Sequence, residues 1–283
     1  MTARLLDGRA LATHLREELR ERVERLAATV GHGSPPVLAI LGDGHHGAAS
    51  LYAASLERAA RSVGVDTDTV VDGDALVPAI ERLNADPRVA GIVVAQPFAD
   101  VAAGRRLVEH IDPEKDVDGA TPTSAGRLAR GEPAFVPATA LAVIAILEEH
   151  DIPVAGLRAV IVGRSAVVGR PVASLLVARD ATVVVTHTAT RDLAEETQRA
   201  ELLVAAAGVP RLIRGPMVHG GAIVVDCGIN ATPDGVVGDV AFDEVAPRAQ
   251  AISPVPGGIG PVTPMMVLRQ LVEAAERRAS AAG

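Results

Sequence analysis

The apolar run Ala159–Val162 leads without a break into Gly163-Arg164-Ser165-Ala166-Val167-Val168-Gly169-Arg170-Pro171, and a helical pattern follows from about Val172 to Ala178. A strand that ends in a glycine turn and reopens as a helix aims free backbone N–H groups and the positive end of a helix dipole at one spot, which suits a pyrophosphate. Gly163 and Gly169 are placed for that contact. The spacing is not the G-x-G-x-x-G fingerprint, and two glycines after a strand fit an ordinary strand-to-helix turn equally well. Arg164 and Ser165 add a guanidinium and a hydroxyl beside the turn, and these groups suit the adenosine 2′-phosphate of NADP. The following strand ends in Thr186-His187-Thr188-Ala189-Thr190-Arg191, where the ribose of such a dinucleotide would lie; His187 by itself reads as readily as a loop histidine.

Other reactive side chains are sparse. His45 and His46, in a Gly-rich loop, could be acid/base groups or half of a metal site, but an adjacent pair without further clustered ligands is also what a solvated loop carries. No metal is expected. The single cysteine, Cys227, excludes an internal disulfide framework and any zinc site needing several thiolates, and fits a reducing cytoplasm. A net charge of -8 with scattered basic residues argues against nucleic acid as a partner. Apolar runs are broken well before the ~18 residues of a membrane span, so a soluble chain is expected.

The elements that must position these groups alternate between strand and helix. Leu11 to Ala28 is amphipathic, with Leu11, Leu15, Leu19, Val23 and Leu26 at helical spacing. Val37–Leu41 reads as a strand ending in Gly42-Asp43-Gly44, and a helix follows from Leu51 to Val63. Val89–Val94 is a second buried strand closed by Pro97, and Asp112–Thr123 is a Pro-punctuated loop. Further strands are expected at Thr182–Val185, Leu202–Ala206 and Ala222–Asp226, with a C-terminal helix from Met265 to Ala282. With 48% hydrophobic residues and almost no aromatics, the cores must be Val, Leu, Ile and Ala, as in parallel sheets buried on both faces. The pattern specifies a two-domain α/β protein. Residues 1–139 form an α/β domain on which helix 264–283 packs back, and residues 140–263 form a doubly wound, Rossmann-type domain.

Five blocks carry a resemblance: Lys115-Asp116-Val117-Asp118-Gly119; Val162–Ser165 with Val168–Pro171; Asp226-Cys227-Gly228-Ile229-Asn230; Gly238-Asp239-Val240; and Pro254-Val255-Pro256-Gly257-Gly258-Ile259-Gly260-Pro261-Val262-Thr263. In this order the chain resembles the bifunctional methylenetetrahydrofolate dehydrogenase/cyclohydrolases, from Asp7-Gly8 to the C-terminal helix. The resemblance implies an N-terminal folate-binding domain, a C-terminal NADP-binding domain, an active site in the cleft between them, and a homodimer. It implies hydride transfer from 5,10-methylenetetrahydrofolate to NADP, then hydrolysis of the methenyl product. It places folate against Tyr52, Asp118 and the Pro256-Gly257-Gly258 turn, and the cofactor against Gly163, Arg164, Ser165, Val168, Gly169, His187, Thr190, Arg191, Gly208 and Ile229.

The chain departs from that family where its acid/base chemistry lies. The motif Y-x-x-x-K is Tyr52 followed by Leu56, so the lysine is absent. In the strand end V-Q-x-P-x-P, here Val94-Ala95-Gln96-Pro97-Phe98-Ala99, Ala95 replaces the glutamine that helps position the lysine. Gln96 stands one residue late, facing the opposite way in a strand, and is kept with Tyr52, Asp118 and the Leu56 position as a candidate catalytic residue. The serine three residues before the tyrosine is Ala49, beside Ser50, and the Gly42–Gly47 loop is about two residues longer than usual. The resulting expectation is a dehydrogenase with weak or absent cyclohydrolase activity. The alternatives are a specialised folate enzyme that hands its carbon to another nucleophile, and a non-catalytic folate/NADP-binding homologue.

Overall fold

The computed structural model describes residues 3–29, 35–44, 47–71, 76–96, 98, 100–233 and 235–282. In chain order these form β1 (Arg4–Leu5), α1 (Gly8–Thr29), β2 (Val37–Gly42), α2 (Ala48–Val63), β3 (Asp66–Val71), α3 (Leu76–Ala85), β4 (Val89–Val94), α4 (Val101–Val108), α5 (Pro122–Ala129) and α6 (Ala138–Glu149). Then follow β5 (Arg158–Val162), α7 (Gly169–Val177), β6 (Thr182–Thr186), α8 (Leu193–Gln198), β7 (Leu202–Ala205), β8 (Ile223–Asp226), β9 (Asn230–Thr232), β10 (Gly235–Val237), α9 (Phe242–Val245), β11 (Ala251–Ile252) and α10 (Ile259–Ala282). Contacts divide the chain into two compact units, Thr13–Val136 with Pro264–Gly283, and Met1–Ala12 with Pro137–Thr263.

The first unit holds a parallel sheet in the order β3-β2-β4. Every residue of β4 is buried, while β3, at the edge, exposes Asp66, Thr67, Thr69 and Val71, as a half-solvated edge should. Leu41, Ile80, Leu83, Ile92, Val94 and Phe98 close one core cluster, with no tryptophan in the chain to help. Helix boundaries follow local chemistry: α2 stops at Gly64 in the left-handed region, α4 is capped by the Asp100 carboxylate on the N–H groups of Ala102 and Ala103, and α5 opens on Thr121 with Pro122 just inside.

The second unit is a parallel sheet in the order β1-β11-β8-β7-β5-β6 among the described residues. The chain leaves β5 to one side for β6 and returns to the other side for β7, so β5 is the point where strand order reverses. In doubly wound sheets ligands gather outside the carboxyl end of such a strand, and here that end is Val162-Gly163. The sequence assigns residues 1–139 to one domain, whereas β1 pairs with β11 (Arg4 with Ala251, Leu5 with Ile252), and the first twelve residues thereby join the six-stranded unit. The expected Asp112–Thr123 loop ends in the first turn of α5. The C-terminal helix begins at Ile259 rather than Met265, with Pro264 inside it.

Buried charges tie the loops to these sheets. Lys115, 6% exposed, donates through Nζ to the carbonyls of Leu83 (2.9 Å), Asn84 (2.7 Å) and Asp86 (2.7 Å), closing the carboxyl end of α3. Burial lowers its pKa, and the Arg278 charge lowers it further. Asp226 accepts N–H bonds from Gly228 (2.8 Å), Asp239 (3.0 Å) and Val240 (2.9 Å). Burial nonetheless outweighs those bonds and pushes its pKa up to about 6, with the Asp239 charge adding to the rise.

Replacing Lys115 by methionine leaves three carbonyls without their charged donor, and stability should fall by about 1.5 to 3 kcal/mol. An unchanged urea midpoint would refute this role. For Asp226, a raised carboxyl pKa means that the native state holds a proton the unfolded chain has released. Its contribution to stability is therefore fully present below about pH 4 and declines as pH rises through about 6, by ~3 kcal/mol at most. Carboxyl-carbon NMR should show its midpoint near 6; titration at an ordinary aspartate pKa would mean that the three N–H bonds win.

Candidate active site

In the three-stranded unit, Tyr52 lies on α2 and its phenol donates to Asp118 Oδ2 at 3.3 Å. Both residues are half-buried. Burial raises the tyrosine pKa well above its ordinary value, and the neighbouring carboxylate raises it further, so the phenol stays protonated and acts as donor. Asp118 is positioned by its neighbours in Lys115–Gly119. Lys115 anchors the start, and its carbonyl accepts from Ile92 N of β4. Asp116, fully buried, accepts from Ala120 N (2.8 Å), Thr121 N (2.9 Å) and Ser124 Oγ (2.6 Å), which closes the loop onto α5. Val117 fills the space over Gly91, where a Cβ would strike both its methyl groups, and its carbonyl accepts from Gln270 Nε2. Gly119 turns the chain at φ +59.

One helical turn beyond Tyr52, Leu56 is completely buried (0% exposed), and Ala95, just past β4, is 1% exposed. Neither side chain can move a proton. Gln96 is half-buried in the bend after β4, beyond the last residue whose facing the strand dictates. Pro97, His45 and His46 lie outside the described residues. Among the described residues no three His, Cys, Asp or Glu side chains gather as a metal would require.

In the six-stranded unit, the turn after β5 is closed by its own serine. Ser165 Oγ accepts from Val168 N (3.1 Å) and Gly169 N (3.3 Å), and Ser165 O accepts from Arg170 N (3.1 Å). The hydroxyl oxygen is thus used within the turn, and its hydrogen is what it can offer a ligand. Gly163, at φ +122, packs so closely on the Ala206 carbonyl that a Cβ would overlap it, and Gly169 stands in the same relation to the Gly163 carbonyl. Arg164 is exposed beside this turn. After β6, His187 N donates to Thr190 Oγ1 (2.9 Å), Thr190 N donates to His187 O (2.8 Å), and His187 Nδ1 accepts from Ala189 N (3.1 Å). Arg191 and Gly208 are exposed, and Ile229 is 68% exposed, an unusual state for an isoleucine in so apolar a unit.

The Pro256-Gly257-Gly258 turn follows the cis Val255–Pro256 bond in the same unit. Sequence reasoning missed what seats it. Gly8 N donates to Gly257 O at 2.9 Å, and a Cβ on Gly8 would overlap the Gly258 carbonyl. Arg9 Nη2 donates to Pro256 O at 3.3 Å, and its guanidinium lies where a Gly257 side chain would be. The signal was the Asp7-Gly8 pair: Asp7 Oδ1 accepts from Arg9 N at 2.8 Å and turns the chain into α1.

Residues 6–118 match the family described as "Tetrahydrofolate dehydrogenase/cyclohydrolase, catalytic domain", and residues 137–279 match its "NAD(P)-binding domain". The "Bifunctional protein FolD" of Parafrankia sp. (strain EAN1pec) is 47% identical over 275 residues, covering 96% of this chain and 99% of that protein. Among solved structures, the bifunctional FolD methylenetetrahydrofolate dehydrogenase/cyclohydrolase of Campylobacter jejuni superposes with a TM-score of 0.92 at 39% identity, covering 97% of this chain and 99% of that one. The N5,N10-methylenetetrahydrofolate dehydrogenase-cyclohydrolase of Trypanosoma brucei, complexed with NADP cofactor and inhibitor, does so at 0.92 and 35% identity, covering 98% and 99%. This chain, with both domains matched in order, belongs to the tetrahydrofolate dehydrogenase/cyclohydrolase family.

Proposed function

We propose that the protein is an NADP-dependent 5,10-methylenetetrahydrofolate dehydrogenase whose cyclohydrolase step is weak or lost. One observation carries this reading. The places of the acid/base lysine and its glutamine are taken by Leu56 and Ala95, both buried and apolar, while Tyr52 and Asp118 remain hydrogen-bonded at 3.3 Å. The two activities make separable demands. Hydride transfer requires donor and acceptor carbons to be held in a near-attack geometry, whereas hydrolysis of a methenyl group also requires proton transfer to and from a tetrahedral adduct.

On this reading Tyr52 packs against the pterin, and its phenol orients the Asp118 carboxylate toward the amide edge of the ring. Leu56 keeps water and protons from that face. The Pro256-Gly257-Gly258 turn, seated on Gly8 and Arg9, contributes further folate contact. The groups of the six-stranded unit suit NADP: the Gly163–Gly169 turn stands at the carboxyl end of β5, where a doubly wound sheet takes the pyrophosphate, and Arg164, exposed beside it, is the cation for the 2′-phosphate. The Ser165 O–H, Val168, His187, Thr190, Arg191, Gly208 and Ile229 complete the cofactor contacts. When bound, NADP supplies the hydride acceptor. The reading includes a cytoplasmic homodimer; among the described residues no helix is long and apolar enough to cross a membrane. The buried Leu56 also suits a second reading, in which the one-carbon unit passes to a nucleophile other than water.

NADP should bind more tightly than NAD, and Arg164→Ala should weaken NADP binding about tenfold or more while leaving NAD nearly unaffected. Equal affinity of the parent protein for both cofactors, measured by titration, would defeat the assignment. With 5,10-methylenetetrahydrofolate and NADP, methenyl product should accumulate, and its hydrolysis should stay near the spontaneous rate, since lost acid/base assistance is typically worth ~10² to 10⁴. Leu56→Lys with Ala95→Gln should recover more hydrolysis than either change alone. Parent hydrolysis well above buffer background, followed by absorbance, would overturn the reading.

A further inference from the structure

The strands β7 and β8 lie side by side and end in register, Ala205 opposite Asp226. Three segments meet beyond those ends: Ala206–Gly208 after β7, Cys227–Asn230 after β8, and Gly238–Val240, which returns from the β9–β10 hairpin. Asp239 joins all three while being completely buried. Its Oδ2 accepts from Ala207 N (2.6 Å) and Gly208 N (2.8 Å), and its Oδ1 accepts from Asn230 Nδ2 (2.8 Å). Its own backbone N–H is held by Asp226 Oδ1, and Asp226 N donates in turn to Ser253 Oγ at 2.8 Å. Two glycines leave the space this requires: a Cβ on Gly228 would overlap the Asp239 carboxylate, and one on Gly238 would overlap that of Asp226.

The segment that Asp239 holds also reaches the cofactor turn, because Gly163 packs directly on the Ala206 carbonyl. Next to Asn230 stands Ile229, 68% exposed. We infer that Asp239, gripping Ala207, Gly208 and Asn230 from below, is the positioning residue that sets the wall of the dinucleotide site formed by Gly208 and Ile229. The inference rests on the NADP reading of that site. It carries a specific consequence: the N–H groups of Ala207 and Gly208 are committed to the carboxylate and are not phosphate ligands, and since those of Val168, Gly169 and Arg170 are committed to Ser165, anion recognition falls to the Ser165 O–H and the Arg164 guanidinium. A carboxylate lies beneath a site for a polyanion because it acts on the loop and not on the ligand. Its charge is answered by two amides and an amide side chain before any cofactor arrives.

The geometry allows a test by exchange of partners. Asp239→Asn must point an NH₂ group either at two N–H donors or at Asn230 Nδ2, so one side of the clamp opens. In the double variant Asp239→Asn with Asn230→Asp, the new amide can accept from Ala207 and Gly208 and donate to the new carboxylate. Asp239→Asn should raise the NADP dissociation constant about tenfold, leave folate binding within about twofold, and speed amide exchange at Ala207 and Gly208. The double variant should recover at least half of the lost affinity on a logarithmic scale, which a general loss of stability would not do. If Asp239→Asn fails to fold, Asn230→Ala, which opens only one side, should weaken NADP binding about threefold or more, with folate binding again spared. NADP affinity within twofold of the parent in the folded Asp239→Asn protein, or within error in Asn230→Ala, overturns the inference. A parent protein that binds no NADP overturns the cofactor reading itself; unchanged amide exchange at Ala207 and Gly208 in the variant overturns the clamp independently of it.

Discussion

A charge taken out of water must find its full complement of hydrogen bonds, since an unpaired one costs several kcal/mol in a protein whose whole stability is of that order. In this chain that requirement fixes the loops on which chemistry would occur. Asp116 cannot stay buried unless Ala120, Thr121 and Ser124 come to it, and when they do, Asp118 is carried to the phenol of Tyr52. Lys115 needs several acceptors at once, and the carboxyl end of α3, where carbonyls lack helical partners, offers them. Asp226 and Asp239 impose the same discipline on the strand ends of the six-stranded sheet. The loops are therefore not loose connections that a ligand must order. Their backbone amides are already committed, and deforming them would strand a buried charge.

The strength of this arrangement explains why part of the molecule could be read from its residues and part could not. An apolar run ending in glycine, such as Ala159–Val162 closed by Gly163, announces a buried strand and its turn because the signal is local. The sheet-edge β3, with Asp66, Thr67 and Asp68 in it, carries no apolar alternation strong enough to announce anything. Two residues of β1 acquire meaning only through β11, almost the whole chain away. The Lys115–Gly119 block was legible as a motif, but the division of labour inside it was not: Lys115 and Asp116 bond almost wholly to backbone groups, which have no sequence signature. The same holds for Gly228 and Gly238, whose missing side chains make room for carboxylates that belong to other segments of the chain.

At Leu56 the physics of burial and the proposed chemistry converge. A lysine in that position, with no exposure to water, would keep its charge only if something nearby compensated for desolvation. A glutamine at position 95 is the type of group that could do so, by offering its carbonyl to an ammonium. On the proposed reading, Leu56 and Ala95 are thus one change and not two. Once the ammonium is gone, the amide that served it would become a buried polar group without a partner, so an alanine is the less costly occupant. Conversely, once the amide is gone, a lysine would be driven toward its neutral form or out toward solvent.

That coupling bears on the proposed separation of the two activities. The pair Tyr52–Asp118 belongs to a hydrogen-bonded system anchored through Asp116 and Lys115 to α5 and α3, and the bonds described for that system do not pass through the side chains of Leu56 or Ala95. A site can therefore exchange its proton-transfer pair for apolar packing while the groups proposed to orient folate keep their positions. On the proposed reading, water attack on a methenyl carbon would lose its acid and base in that exchange, whereas hydride transfer would lose neither its donor nor its acceptor, because both belong to the ligands and the protein has only to hold them still. An arrangement rigid where ligands would be oriented and apolar where a proton would have to move suits, on that reading, the reaction that depends on geometry better than the one that depends on proton transfer.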